Sequence, residues 1–201
     1  MRPYHEFVFD EVKRTFVGNF EEMYKNEDIQ NYDSWFQETL TTLEKQISLL
    51  ILNQYNFPAI LDVGCGKGTF SHFLKKKNNR VLAIDISETA IKKARSKYPD
   101  IEFHTMNLGS DQVPQQEYNL VVLMQVLSYI EDWKIIIQKL GQMAQYIYIS
   151  LYIPKKPIGY VKTFDDLKEE ILKTFDIETE VLINSNNILL LCKNRKDVVN
   201  R

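Results

Sequence analysis

The sequence predicts an α/β fold: a doubly wound, mostly parallel sheet of seven strands with a C-terminal antiparallel hairpin and an N-terminal helical cap. Three observations carry this. The stretch Ala59-Ile60-Leu61-Asp62-Val63-Gly64-Cys65-Gly66-Lys67-Gly68-Thr69-Phe70 is an apolar run that breaks into alternating glycines. A strand buried on both faces reads this way where it turns sharply into a helix, since glycine has no Cβ to block the turn. Downstream to Leu151, apolar runs alternate with amphipathic stretches, and crossovers of that kind make the strands parallel. Last, two strand-like runs separated only by Asn184-Ser185-Asn186-Asn187 must pair antiparallel.

Taken in order, residues 1–33 are rich in aromatics, with Tyr4, Phe7, Phe9, Phe16, Phe20, Tyr24 and Tyr32, but lack clean periodicity, and they read as a cap of short helices and loops. From Ser34, a plausible N-cap, Phe36, Leu40, Leu43, Ile47, Leu50 and Ile51 recur at helical steps, which predicts an amphipathic helix over 34–53. The core spans 58–193. After the glycines, Phe70, Phe73 and Leu74 begin a helix that ends at Lys75-Lys76-Lys77, where cations suit the negative end of the dipole. Arg80 to Asp85 is a second strand, Ser87 opens a helix that stops before Pro99, and Ile101 to Thr105 is a third strand. Tyr118 to Met124 is a fourth strand, Trp133 to Leu140 a helix, and Gln145 to Leu151 a fifth strand. Thr163 opens a last helix before the hairpin runs Phe175 to Ile183 and Ile188 to Cys192.

Composition narrows the function. With 201 residues the chain is sized for a single domain, 1–201, and a net charge of −2 offers no electrostatic footprint for nucleic acid. No apolar run approaches the ~20 residues of a membrane span and no signal-peptide pattern is present, so a cytoplasmic protein without membrane partners is expected. Cys65 and Cys192 have no metal-ligand spacing, and they read as buried, unreactive thiols. No metal is expected.

The glycine spacing is not the dinucleotide fingerprint, whose third glycine would stand at Thr69. Glycine instead recurs at Gly68, with Asp62 two residues before the first glycine. This pattern, together with Asp85 at the end of the second strand and the terminal hairpin, resembles the class I S-adenosylmethionine-dependent methyltransferases of small-molecule type, similar to the nodulation N-methyltransferases. The stretch Tyr32-Asp33-Ser34-Trp35-Phe36 followed by Leu43-Glu44 is similar to their opening helix, which lies across the cofactor cleft.

The resemblance implies a Rossmann-like core and S-adenosylmethionine as cofactor, with S-adenosylhomocysteine as product. Gly64, Cys65, Gly66 and Gly68 would pass under its methionine and ribose parts, and Asp62 would organise the turn or reach its amino group through water. Asp85 would take both ribose hydroxyls, a charge-assisted contact. Ile86 would lie on the adenine, and Asn107, between Met106 and Leu108, would stand where the family often has an acid for the adenine amino group. Gln125 would be nearest the methionine moiety. The family often has a Pro-Gly-Gly turn before the fifth strand, where this chain has Leu140-Gly141-Gln142-Met143-Ala144.

The implied reaction is methyl transfer to a nitrogen or oxygen of a small molecule by in-line displacement, in a monomer or homodimer. A base is needed only for an alcohol or a protonated amine, and Tyr129, His5 and Glu131 are the unranked catalytic candidates. His72 and His104 read as surface and structural. The cap, carrying no cofactor motif, is expected to cover the acceptor side and leave cofactor binding to the glycine turn and Asp85. Three rivals stay open: a nucleotide-dependent oxidoreductase, a protein methyltransferase, and a non-catalytic module that keeps the cofactor fold.

Overall fold

The structure, a computed structural model, describes residues 5–111 and 116–196. Tyr4 of the cap lies outside them. The chain opens with a short helix α1 (His5–Val8), a two-stranded antiparallel ribbon β1 (Phe9–Asp10) and β2 (Thr15–Phe16), and helix α2 (Phe20–Gln30). Helix α3 (Leu43–Leu52) then precedes β3 (Ala59–Val63), α4 (Thr69–Leu74), β4 (Arg80–Asp85), α5 (Glu88–Lys97) and β5 (Glu102–Thr105). β6 (Tyr118–Met124), α6 (Trp133–Leu140), β7 (Ala144–Tyr152), α7 (Phe164–Ile171), β8 (Phe175–Ile183) and β9 (Asn187–Asn194) complete it.

The main sheet has seven strands in the order β5-β4-β3-β6-β7-β9-β8, parallel from β5 to β7 and antiparallel where β9 pairs with β7 and β8. The doubly wound sheet and its hairpin are therefore as the sequence predicts. Each face carries its own apolar layer. On one, Ile51, Leu52, Phe70, Leu74, Ile91 and Ala94 bring α3, α4 and α5 onto the sheet. On the other, Trp133, Ile136, Ile137, Leu140, Leu167 and Ile171 bring α6 and α7. Since the chain winds outward from β3 to β5 and then returns to place β6 on the other side of β3, the strand order reverses between β3 and β6. That switch point opens a crevice at the carboxyl ends of the strands.

Local chemistry sets the helix starts. The Ser87 hydroxyl accepts from Ala90 N–H and the Thr163 hydroxyl from Asp166 N–H, satisfying donors that α5 and α7 would otherwise leave orphaned. The expected helix over 34–53 is corrected. Residues Ser34–Phe36 form one 3₁₀ turn, and the α-helix begins only at Leu43, after Thr42. Trp35 and Phe36 both sit at φ +53°, a left-handed conformation that no α-helix can contain. Ser34 is no N-cap: its buried hydroxyl has no partner, and the Asp33 carboxylate instead accepts from Gln37 and Glu38 N–H at 3.0 Å each. The lysine run likewise lies beyond α4, whose last residue is Leu74, and Lys75 Nζ donates to Asn79 O.

Candidate functional site

A cavity of about 1300 Å³ opens at the switch point, lined by the ends of β3, β4 and β6, by the loop after β5, and by the cap. Pockets for a single drug-sized ligand are usually about 300–1,000 Å³, so this one has room for two molecules side by side.

The turn after β3 forms its floor. All five backbone N–H groups from Gly64 to Gly68 are already used: Gly64 and Cys65 donate to Ile84 O, Gly66 to Asp85 Oδ2, Lys67 to Gln37 Oε1 and Gly68 to Cys65 O. A phosphate-binding turn must leave such groups pointing at its ligand. Within residues 64–68 this turn has none to offer.

The turn does present carboxylates. Asp85, 8% exposed at the end of β4, accepts from Ser87 N–H at 2.9 Å through Oδ1 and from Gly66 N–H at 2.8 Å through Oδ2. Ile86 N–H also acts on this carboxylate, and of its roughly four lone-pair sites three are then engaged, which leaves room for a ligand hydroxyl. Burial pushes its pKa up against these hydrogen bonds. Asp62, 1% exposed, accepts from Ser71 Oγ at 2.6 Å and thereby ties the end of β3 to α4; burial raises its pKa to about 7. Burial also drives the Cys65 thiol up, as it does Cys192 to about 12, so neither is a thiolate near neutrality.

All of the expected cofactor residues line this cavity except Gly66 and Gly68. Gly68 is dictated by packing, since a Cβ there would meet Phe103 Cζ at 2.6 Å. Gly66 is dictated by the cap: at φ +54°, its missing Cβ leaves the space taken by Gln37 Oε1, 2.0 Å away, and the Tyr24 hydroxyl, 2.7 Å away. Ile86, Met106 and Leu108 give an apolar wall, whereas Asn107 is exposed and its Oδ1 accepts from Gly109 N–H at 2.9 Å. Gln125 lines the cavity at φ +59°, but its amide is committed elsewhere: Nε2 donates to Ser150 Oγ and Asn187 Oδ1, and Oε1 accepts from Tyr152 N–H. Its side chain braces the loop against β7 and β9, so what it offers a ligand is its place on the wall.

The cap is bound to the glycine turn and to α5. Glu21 on α2 accepts from Ser87 Oγ, Thr89 N–H and Thr89 Oγ1, clasping the start of α5. Burial opposes ionisation of Glu21, but these bonds outweigh it and bring its pKa down to about 2. Lys67, in the glycine turn and 4% exposed, pairs with Glu27 at 3.2 Å, Asp33 at 2.7 Å and Glu38 at 3.1 Å. Burial works against its charge, yet the three carboxylates hold the ammonium above its usual value. Lys93 on α5 also reaches Glu27 and Asp28.

The far side of the cavity is aromatic. Tyr129 stands among Phe9, Phe16, Phe20 and Trp35 with ring centroids 5.2–5.9 Å apart, and Phe16 meets Tyr160 at 5.6 Å. The other catalytic candidates, His5 and Glu131, also line the cavity; His5 Nδ1 lies 3.6 Å from Glu11 Oε1, and Glu131 is exposed at the mouth. Arg14 Nη2 donates to Lys156 O, strapping the cap ribbon to the loop after β7. His72 is exposed and stacks on Tyr98, and His104 pairs with Glu102 on the surface. Sequence reasoning missed Tyr24, Gln37 and Glu21 because no motif marks them; the one available signal was the aromatic excess around them.

The comparisons with known proteins agree with this geometry. Residues 60–145 match a family model described as a methyltransferase domain. Over 105 residues the chain is 29% identical to a "Probable S-adenosylmethionine-dependent methyltransferase" of Mycobacterium tuberculosis, covering 52% of this chain and 36% of that protein. It is 25% identical over 111 residues to a malonyl-[acyl-carrier protein] O-methyltransferase of Hamiltonella defensa, covering 54% of this chain and 43% of the relative. The match thus spans less than half the length of either relative. Among solved structures, N-methyltransferase NodS from Bradyrhizobium japonicum with S-adenosylhomocysteine superposes with a TM-score of 0.65 at 18% identity, covering 76% of this chain and 87% of that one.

Proposed function

We propose that this chain, which carries a class I S-adenosylmethionine-dependent methyltransferase domain, moves a methyl group onto a nitrogen or oxygen of a small, largely apolar molecule. The carrying observation is the two-sided cavity: hydroxyl-accepting Asp85 and an apolar adenine-sized wall on one side, a continuous aromatic face on the other. The residues present fit the cofactor. Asp85, already held by backbone N–H groups, keeps acceptor capacity for a ribose hydroxyl, and Ile86, Met106 and Leu108 suit a flat base.

When bound, the cofactor supplies an activated methyl group on a sulfonium. What this chain contributes is position. Phe9, Phe16, Phe20, Trp35 and Tyr129 present an aromatic face against which an acceptor is held, and the ribbon strapped to Lys156 O covers it. Alignment of that kind can be worth about 7–11 kcal/mol of the barrier, so no strong base is demanded. Tyr129, His5 and Glu131 remain the candidates to accept a proton where the acceptor must lose one. An O-methyltransferase among the relatives and an N-methyltransferase among the structural neighbours support acceptance at oxygen or nitrogen.

A small-molecule acceptor fits better than a protein or a nucleic acid, because the aromatic face lies inside the cavity and the chain's net charge is −2. No described helix is long and apolar enough to cross a membrane. A cytoplasmic monomer or homodimer is the matching expectation. The test is calorimetry with S-adenosylhomocysteine followed by turnover on a panel of aromatic alcohols and amines. Binding without turnover on any of them favours the non-catalytic module, and absence of binding overturns the reading.

A further inference from the structure

The cap residues Tyr24 and Gln37 point into the cofactor side of the cavity, not the acceptor side. Tyr24 is 3% exposed, yet both it and Gln37 line the cavity beside Asp85. The Gln37 amide is used at both ends: Oε1 accepts from Lys67 N–H at 2.9 Å and Nε2 donates to the Tyr24 hydroxyl at 2.7 Å. The phenol oxygen therefore acts as acceptor toward Gln37, which turns its own proton away from that amide. No described residue takes that proton in a recorded hydrogen bond. A buried hydroxyl donor without an acceptor costs free energy, and an acceptor arriving with a ligand removes that cost.

The position of the proton narrows the ligand atom. The hydroxyl lies 2.7 Å from where a Cβ on Gly66 would stand, and Gly66 N–H donates to Asp85 Oδ2 at 2.8 Å. Phenol and carboxylate thus flank one small volume. A ribose hydroxyl that donates to Asp85 leaves its oxygen to accept, and the Tyr24 proton is the donor at hand. We infer, building on the methyltransferase reading, that Tyr24 is a cofactor-binding residue whose hydroxyl donates to a ribose oxygen, with Gln37 orienting it. Burial, with the Asp85 charge beside it, keeps Tyr24 in its protonated, donating form well above the usual phenol range.

Calorimetry with two probes, S-adenosylhomocysteine and adenosine, tests this on the full chain. Adenosine keeps the ribose and lacks the amino-acid end. Tyr24→Phe retains the buried ring and loses the hydroxyl with its Gln37 Nε2 bond, so the melting temperature without ligand should fall only modestly while affinity for both probes falls by a similar factor, about 3–10-fold for one neutral hydrogen bond. Gln37→Ala should weaken both probes in parallel. Wild-type affinity for both probes in Tyr24→Phe overturns the inference. A loss confined to S-adenosylhomocysteine also overturns it, by moving the contact to the amino-acid end. If the wild-type protein binds neither probe, the methyltransferase reading itself fails.

Discussion

Asp85 does two things with one carboxylate, and the second was hidden from the sequence. Besides the proposed ribose contact, it holds Gly66 and Ser87 N–H, so Asp85→Ala should lose about 1.5–3 kcal/mol of S-adenosylhomocysteine affinity and also lower the melting temperature. Unchanged affinity in calorimetry would take Asp85 out of the site. Gly66 makes a sharper test. A methyl group there collides with Gln37 Oε1, so Gly66→Ala should loosen the cap as well as pay the roughly 1–2 kcal/mol of left-handed backbone strain. Combining it with Gln37→Ala should relieve the collision with the amide and leave the strain and the contact with the Tyr24 hydroxyl. Strictly additive losses in denaturant titrations would mean that the two residues do not touch.

At the level of elements, α2 is docked by charge. The Glu21 clasp on α5 stabilises the protein when ionised, since its pKa falls from 4.5 to about 2 on folding. A depressed carboxylate contributes fully above its unfolded value and loses that contribution as pH falls through the folded one. The melting-temperature gap between wild type and Glu21→Gln should therefore be constant above about pH 5 and shrink between pH 4.5 and 2. A gap that persists unchanged at pH 2 would assign the effect to shape and not to charge. Asp62 runs the other way. Burial raises it from 3.8 to about 7, so its stabilising contribution is complete below 3.8 and is lost as pH rises through about 7.

For the molecule as a whole, the cap is tied to the glycine turn and the start of α5. Deleting residues 1–31 would remove Glu21, Tyr24 and Glu27 together, and with them the cover over the glycine turn. Cofactor affinity should drop along with turnover in the truncated protein, provided circular dichroism shows the sheet intact. Affinity held at the full-length value while turnover alone is lost would return the cap to the role of an acceptor lid.

The sequence by itself determined the sheet and its switch point. Apolar runs such as Tyr118 to Met124 can be buried only between two layers of helices, and a four-residue link can join only antiparallel strands, so both readings follow from local pattern. It also placed Asp62, Asp85 and the glycines at the carboxyl ends of strands, because the pattern fixes the direction of those strands. Only the tertiary structure decided why Gly66 and Gly68 are glycines: the atoms that forbid a Cβ belong to Gln37, Tyr24 and Phe103, far from them in sequence. It alone turned Gln125 to brace β7 and β9, broke the helix expected over 34–53 at Trp35 and Phe36, and set Tyr24 beside Asp85. Each depends on which surfaces meet after the sheet has formed, and a periodicity of two or of 3.6 records which face of an element is apolar, not what that face will touch.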